Sequence, residues 1–235
     1  MKIKVCGMRD SNNIKAVTAL GVDMIGYSFY QSSPRYVSMI SSRAGIIPDY
    51  ADTDDIRLRK SGAGDCVVRP FLKVGVFKDD MPQSILTRVV NYSLDCIQLD
   101  GEESSVMIDN LRRTLCPDIV DEITIIKTIR ISDAADVNLW RRYKNADMFL
   151  FKLSRDDSDK SFFLDELNAY DGDAPFLVAG GFCEKDAEWI KTLKHPKFEG
   201  VSVSTGFEKE LALKDTDALE RFVIQLKGNN IFRDE

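Results

Sequence analysis

Short apolar runs recur along the chain, and longer amphipathic segments separate them. The runs have the length and the β-branched content of buried strands, whereas the intervening segments place apolar residues three and four positions apart, as helices do. The predicted strands are 3–8, 24–30, 71–77, 96–100, 124–130, 148–153, 176–181 and 200–205. The predicted helices are 11–21, 81–93, 102–115, 133–143, 162–170, 183–194 and 216–227, with a weaker candidate at 38–50.

This alternation predicts the fold class. Strands that alternate strictly with helices form a parallel sheet with right-handed crossovers. Eight such units favour an α/β fold of the closed (β/α)₈ (TIM) barrel type, formed by residues 1–235 as a single domain. An open doubly wound sheet is the alternative, but it would need a G-x-G-x-x-G turn after the first strand, and CGMRDS at 6–11 is not one.

One polar segment interrupts the repeat before the third predicted strand. Residues 42–69 combine glycine with clustered charges and contain no long apolar run. Loops that enter a strand lie on the face opposite the active site of such a barrel. We therefore expect 42–69 to be a tolerated insertion on that opposite face.

Composition and charge exclude several classes of function. The 235 residues are 44% hydrophobic and 30% charged, with a net charge of −6 and no basic stripe, so nucleic acid is not an expected partner. The apolar runs are far shorter than the roughly 20 residues that cross a bilayer, so no membrane partner is expected either. The first residues lead directly into a strand pattern without an apolar signal region, and a cytoplasmic location is expected.

The cysteine and histidine content limits the chemistry. The five cysteines form no C-x-x-C pair, so neither a zinc site nor a disulfide framework is predicted, and a reducing compartment fits best. The five cysteines are Cys6, Cys66, Cys96, Cys116 and Cys183. His195 is the only histidine, which excludes a metal site with several histidines, and its place in LKHPKF predicts a surface residue at the end of a helix. No metal and no cofactor are predicted.

Candidate chemistry lies at the carboxyl ends of the predicted strands. In a (β/α)₈ barrel these ends and the loops that follow them face the substrate. The residues there are Cys6, Tyr30, Asp100, Arg130, Lys152, Gly180, Gly181, Ser204, Thr205 and Gly206. The small-residue turns AGG and STG, after strands seven and eight, expose backbone N–H groups of the kind that bind phosphate.

For two of these positions, Cys6 and the nearby Arg35, a role without any function in catalysis or binding is also compatible with the sequence. A cysteine in a strand is usually a small apolar core residue, but at a strand end the Cys6 thiol can act as a base. Arg35, in the SSPRY loop after the second strand, can bind a carboxylate through two hydrogen bonds or remain a solvated loop residue. The residues alone leave both alternatives open.

The motifs taken in order resemble the phosphoribosylanthranilate isomerase family of tryptophan biosynthesis. They are KVCGM, GYSFYQSSPRYVS, VGVF, IQLDGEE, VAGG and VSVSTGFE, and the resemblance covers nearly the whole chain apart from the insertion. It implies an Amadori rearrangement of a small phosphorylated substrate, an aldose–ketose isomerisation without metal or cofactor. It also implies that Cys6 is the general base and that Arg35 faces the carboxylate of anthranilate. The phosphate would bind at Gly180, Gly181, Ser204, Thr205 and Gly206.

The chain departs from this family pattern at three positions. Lys152 stands where the family has its general acid, an aspartate at the end of strand six, while Asp100 replaces a histidine and Ser202 replaces an aspartate. The carboxyl groups that could supply the missing acid are Asp100 and, in the acidic loop after strand six, Asp157 or Asp156.

These departures leave two alternative functions. The alternatives to the isomerase are a catalytically impaired relative that binds a phosphorylated ligand or a partner, and a lyase or aldolase that uses Lys152 as a Schiff-base amine.

Overall fold

The computed structural model describes residues 1–38, 71–153 and 167–228. In this part of the chain eight parallel strands close into a barrel in the order β1 to β8, with β8 hydrogen-bonded to β1. The predicted (β/α)₈ barrel is therefore confirmed. The predicted insertion at 42–69 and nearly all of the candidate helix at 38–50 lie outside the described residues.

The barrel strands follow the predicted apolar runs closely. They are β1 (Lys2–Cys6), β2 (Met24–Ser28), β3 (Leu72–Phe77), β4 (Cys96–Leu99), β5 (Thr124–Ile131), β6 (Met148–Leu153), β7 (Phe176–Ala179) and β8 (Phe198–Val203). Five of them, β1, β2, β4, β7 and β8, end one or two residues earlier than predicted, because the residues at the barrel mouth leave the sheet and turn across it. A short antiparallel pair, β9 (Glu208–Glu210) and β10 (Leu213–Lys214), follows β8.

Helices surround the barrel within the described ranges. They are α1 (Ser11–Ala19), α2 (Pro82–Tyr92), α3 (Ser105–Leu115), α4 (Ala187–Thr192) and α5 (Thr216–Lys227). Local signals in the sequence set their starts. The side chains of Asp10 and Asp215 accept hydrogen bonds from the first turns of α1 and α5, and Pro82 opens α2.

Two predicted helices differ in detail. The segment 133–143 forms a 3₁₀ helix, Ala134–Arg142, which begins at a capping box between Asp133 and Asp136. The segment 183–194 divides into a 3₁₀ turn, Glu184–Asp186, followed by α4. Helix 162–170 lies mostly outside the described residues.

Alternation along the strands produces two separate apolar clusters. The larger one packs the outer face of the barrel against the helices, and a smaller one, which includes Met24, Val74 and Leu177, fills the interior. Above this interior cluster lies a buried polar layer, in which Lys4 Nζ donates to Gln98 Oε1 and Gln98 Nε2 donates to Thr128 Oγ1 at 3.1 Å. This layer is the floor of the barrel mouth.

The described residues show neither a membrane-spanning helix nor a cluster of metal ligands. None of the helices in the described ranges is long and apolar enough to cross a membrane. No group of three or more His, Cys, Asp or Glu side chains there is placed to hold a metal ion.

Candidate active site

The Cys6 thiol lies at the mouth of the barrel, where β1 ends. It is free, half-buried and a member of neither apolar cluster. Cys6 pairs in register with Gly26 of β2, and a Cβ on Gly26 would lie 2.9 Å from the sulfur, so the glycine leaves the space that the thiol occupies. Cys96, by contrast, is buried in the interior cluster, where burial raises its pKa to about 12. Cys6 is therefore not packed as an apolar core residue.

The turn after Cys6 requires a glycine for two reasons. Gly7 has φ of +78°, a left-handed conformation that other residues adopt only with strain. A Cβ on Gly7 would also lie 2.4 Å from Cδ of Arg35, because the arginine side chain crosses the turn here. The N–H of Gly7 donates to the carbonyl of Gly26 at 2.9 Å and fixes the turn against β2.

This double constraint predicts the result of Gly7→Ala. The strained backbone alone should lower the free energy of unfolding by about 1–3 kcal/mol, and displacement of Arg35 should add to the loss. Gly228 is a matched control, because its φ is +82° and nothing lies within 4 Å of its Cβ position. Urea unfolding should give a larger loss for Gly7→Ala than for Gly228→Ala, and equal losses would contradict the contact with Arg35.

Arg35, in the loop after β2, lies against the Gly7 turn that follows Cys6. Its Nε and one terminal nitrogen donate to the two carboxylate oxygens of Glu208 at 2.7 and 2.5 Å. Lys214, whose side chain is fully buried, donates to the same carboxylate at 2.7 Å and to the carbonyl of Ser204 at 3.1 Å. Glu208 therefore joins two cations next to the thiol.

The charges in this network shift one another's titration. Burial acts to raise the pKa of Glu208, but the hydrogen bonds from Arg35 and Lys214 outweigh it and leave that pKa lowered. Burial lowers the pKa of Lys214 despite the opposing effect of Glu208. The hydrogen bond to Glu208 raises the pKa of Arg35, and negative charge at Cys6 contributes in the same direction. Arg35 and Lys214 thus lie within electrostatic range of the thiol.

A second charged group lies on the β4–β6 side of the mouth. The buried carboxylate of Asp100 accepts a hydrogen bond from Arg130 at 2.7 Å, and the ammonium of Lys152 lies 3.8 Å from the same oxygen. Gln98 Nε2 donates to the other oxygen at 3.3 Å. Burial raises the pKa of Tyr30, and negative charge on Asp100 and on Cys6 raises it further. The Tyr30 phenol therefore lies within electrostatic range of both Asp100 and Cys6.

The loops after β7 and β8 pack directly against each other. A Cβ on Gly206 would lie 2.0 Å from the carbonyl oxygen of Phe182, so only glycine allows this approach. Gly181, Thr205 and Gly206 are exposed at the mouth, whereas Gly180 and Ser204 are half-buried. Ser204 Oγ donates to the carbonyl of Cys6 at 3.2 Å and so joins these loops to the end of β1. The two turns can present N–H groups to an anion beside the thiol.

The structure brings most of the sequence-predicted residues to one mouth. Ser204 is hydrogen-bonded to Cys6, Arg35 lies against the turn after Cys6, and Asp100 occupies the β4–β6 side. Asp156 and Asp157 lie outside the described residues. His195 is half-buried, not on the open surface, and its Nε2 lies 2.9 Å from the carbonyl oxygen of Tyr170.

Sequence reasoning missed Gly26, Glu208 and Lys214. Glu208 lies two residues after the STG turn in STGFE, and Lys214 lies in LKD six residues later. The spacing of Glu208 and Lys214 matches no helical or strand period that would mark them as functional. Their pairing becomes visible only when the fold brings Arg35, 173 residues from Glu208, to the same carboxylate. Gly26 belongs to the quoted GYSF motif, but the need for glycine follows only from its pairing with Cys6.

Comparison with known proteins identifies similar chains. The family described as N-(5'phosphoribosyl)anthranilate (PRA) isomerase matches residues 65–225. N-(5'-phosphoribosyl)anthranilate isomerase of Parabacteroides distasonis is 34% identical, over 96% of this chain and 93% of the relative. The protein of the same name from Phocaeicola vulgatus is 30% identical, over 97% of this chain and 98% of the relative.

Solved structures agree in fold. Phosphoribosyl anthranilate isomerase from Thermotoga maritima superposes with a TM-score of 0.71 at 24% identity, over 97% of this chain and 99% of that chain. A phosphoribosyl anthranilate isomerase in complex with reduced 1-(o-carboxyphenylamino)-1-deoxyribulose 5-phosphate gives a TM-score of 0.68 at 22% identity, over 97% and 99% of the two chains.

Proposed function

Because this chain belongs to the N-(5'-phosphoribosyl)anthranilate isomerase family, we propose that it converts N-(5'-phosphoribosyl)anthranilate into the corresponding 1-deoxyribulose phosphate. The observation that carries the proposal is the free Cys6 thiol, which lies at the mouth outside both apolar clusters and beside the β7 and β8 turns. The reaction is an internal oxidation and reduction, in which C1′ of the sugar is reduced and C2′ is oxidised. It needs proton transfers and no external electron acceptor.

The first step opens the ribose ring. An acid protonates the ring oxygen, the bond from C1′ to that oxygen breaks, and the nitrogen lone pair forms a C=N bond to C1′. In the second step Cys6, as the thiolate, removes the proton from C2′. The C–H electron pair then forms the C1′–C2′ double bond, the C=N pair returns to nitrogen, and the resulting enol becomes the ketone by proton transfer to C1′.

The phosphate group is proposed to bind at the β7 and β8 turns. Gly180, Gly181, Ser204, Thr205 and Gly206 form this subsite, in which exposed N–H groups would hold the dianion. Ser204 also contacts the carbonyl of Cys6, so an anchored phosphate sets the distance between the sugar and the thiol. Arg35 is proposed to contact the substrate from the Cys6 side, through the terminal nitrogen that Glu208 leaves unbonded.

The acid of the first step is proposed to be Asp100 or Asp157. If it is Asp100, Asp100→Asn should lower kcat by about 10²- to 10⁴-fold, and if it is Asp157, Asp157→Asn should do so. Asparagine keeps the shape of the carboxyl group but donates no comparable proton. The measurement is kcat against pH for each variant, because loss of the acid should also flatten the basic limb of the profile. Asp171→Asn is the control, since Asp171 forms an exposed ion pair with Arg141; normal kcat in both test variants would place the acid elsewhere.

The function itself is tested with the purified protein and N-(5'-phosphoribosyl)anthranilate. We expect conversion to the isomer, separated from the substrate by chromatography, and restored growth without tryptophan in a strain that lacks the isomerase. The second candidate, a catalytically impaired family member that binds a phosphorylated ligand, is favoured by Lys152 at the end of β6. Binding of the substrate without any turnover would support that candidate instead.

A further inference from the structure

One buried arginine of α2 holds both ends of the loop that carries Arg35. Arg88 is 7% exposed, and its guanidinium contacts the residue before this loop and the residue after it. Nη1 donates to the carbonyl oxygen of Phe29 at 2.5 Å. Nη2 donates to the hydroxyl of Tyr36 at 3.3 Å. The two hydrogen bonds therefore enclose residues 30–35.

The aromatic rings of the same two residues also face the guanidinium. Its central carbon lies 4.9 Å from the ring centroid of Phe29 and 5.9 Å from that of Tyr36, both within the range of a cation–π interaction. Each end of the loop is thus held twice, by a hydrogen bond and by a ring contact. The planar guanidinium of Arg88 can make all four contacts at once, whereas the ammonium of a lysine has no such fork.

Arg88 directs its hydrogen bonds to this loop and not to the carboxylate beside it. Asp80, in the turn before α2, has an oxygen 3.8 Å from Nη1, which is too far for a hydrogen bond. Burial raises the pKa of Asp80, and the charge of Arg88 opposes that rise. A buried cation needs hydrogen-bond acceptors, and Arg88 has them in the residues that flank the loop.

Turns centred on Ser33 connect the two held ends to Arg35. The N–H of Ser33 donates to the carbonyl of Tyr30 at 3.0 Å, and the N–H of Tyr36 donates to the carbonyl of Ser33 at 3.0 Å. The N–H of Arg35 donates to Ser33 Oγ at 3.1 Å. A displacement at Phe29 or Tyr36 is therefore passed on to the backbone of Arg35.

The Arg35 side chain depends on this placement because its two edges serve different partners. Glu208 binds the edge that consists of Nε and one terminal nitrogen, at 2.7 and 2.5 Å. The edge between the two terminal nitrogens is the other one that can bind a carboxylate through two parallel hydrogen bonds. Such binding requires the plane of the guanidinium to be fixed, so both the loop and Glu208 must hold Arg35 in place.

We propose that Arg88 is a positioning residue for Arg35. It fixes both ends of the 30–35 loop, so that the second edge of Arg35 meets the carboxylate of the substrate's aromatic ring. The proposal rests on the proposed function for the role of Arg35 in binding. Arg88 is buried and acts on the ligand only through Arg35.

Binding of anthranilate to the purified full chain tests the proposal without requiring turnover. In calorimetric titrations Arg88→Lys should weaken anthranilate binding about 10-fold, the effect of one displaced charge-assisted hydrogen bond. Tyr36→Phe keeps the ring and removes one acceptor, so it should fold if Arg88→Lys does not, and should weaken binding about 2- to 10-fold. Inorganic phosphate should bind both variants as it binds wild type, because the β7 and β8 turns are unchanged.

Two further readouts separate positioning from a general structural role. The Nε–H NMR signal of Arg35 reports its hydrogen bond to Glu208, and Arg88→Lys should shift it. In turnover, Arg88→Lys should raise KM about 10-fold and leave kcat within a few-fold of wild type, as expected for lost binding alone. Arg112→Lys is the control and should change neither readout, because Arg112 joins α3 to the carbonyl of Asn145, away from the β2 loop.

Three results would overturn the proposal. The first is wild-type affinity for anthranilate in folded Arg88→Lys and Tyr36→Phe proteins, or no anthranilate binding by wild type. The second is an equal loss of phosphate binding, and the third is an unmoved Arg35 signal in Arg88→Lys. Failure of the proposed function would appear separately, as anthranilate binding that depends on Arg35 and Arg88 without isomerisation of the substrate.

Discussion

Cys6→Ser should lower kcat for N-(5'-phosphoribosyl)anthranilate by about 10²- to 10⁴-fold, the usual contribution of a positioned base. A hydroxyl is a far weaker acid than a thiol, so serine supplies almost no anionic base near neutral pH. KM should change little, because the proposed contacts with the phosphate and the carboxylate lie on other residues. The oxygen fits the space beside Gly26 that the larger sulfur now fills, so the fold should be kept.

Cys116→Ser is the matched control for this experiment. Cys116 is a free, half-buried cysteine directly after α3, at the amino end of the barrel and away from the mouth. We expect the kcat of the Cys116→Ser protein to equal that of wild type. A Cys6→Ser protein that turns over within a few-fold of wild type would show that Cys6 is not the base.

Glu208→Gln should lower the free energy of unfolding by about 3–5 kcal/mol, the cost of leaving a buried charge without its partner. The glutamine keeps the size of the side chain but leaves the fully buried ammonium of Lys214 without a counter-ion. Equilibrium urea unfolding measures the loss. Lys214→Met combined with Glu208→Gln should recover part of it, because the double variant no longer buries the unpaired ammonium.

Glu184→Gln is the surface control. Glu184 binds Arg221 through two hydrogen bonds of 2.7 and 2.8 Å, much as Glu208 binds Arg35, but in solvent. The urea unfolding midpoint of the Glu184→Gln protein should stay close to that of wild type, because exposed ion pairs contribute little to the free energy of unfolding. A Glu208→Gln protein as stable as Glu184→Gln would contradict the role of Glu208 as the buried counter-ion.

Glu208→Gln should also change how the free energy of unfolding depends on pH. The pKa of Glu208 is lowered in the folded chain, so its stabilisation is complete above the usual glutamate pKa and is lost as the pH falls through the lower folded value. The difference between wild type and Glu208→Gln should therefore shrink in acid. Burial lowers the pKa of Lys214, and without Glu208 it should fall further, so the variant should regain stability as the pH rises and the lysine loses its proton.

Local pattern was sufficient to predict the barrel. Alternation of apolar positions depends on each segment alone, and eight repeats of strand and helix admit few arrangements, so all eight strands were predicted within two residues at either end. The same alternation placed Cys6 and Asp100 at strand ends that face one mouth. The 3₁₀ helix at Ala134–Arg142 was predicted only as a helical segment, because a capping box and an apolar period do not distinguish the two helix types.

The partners of the charged residues were decided by tertiary structure alone. The sequence gives no sign that Arg35 binds Glu208, or that Lys214 is buried against the same carboxylate, because these contacts join segments up to 173 residues apart. The pairing of Arg130 and Lys152 above Asp100 depends likewise on the register of three strands. Sequence by itself determined which residues reach the mouth, since that follows from period and order. Which charges meet there, and which remain open to a ligand, was decided by barrel closure, because only closure fixes the distances and the burial that set their interactions.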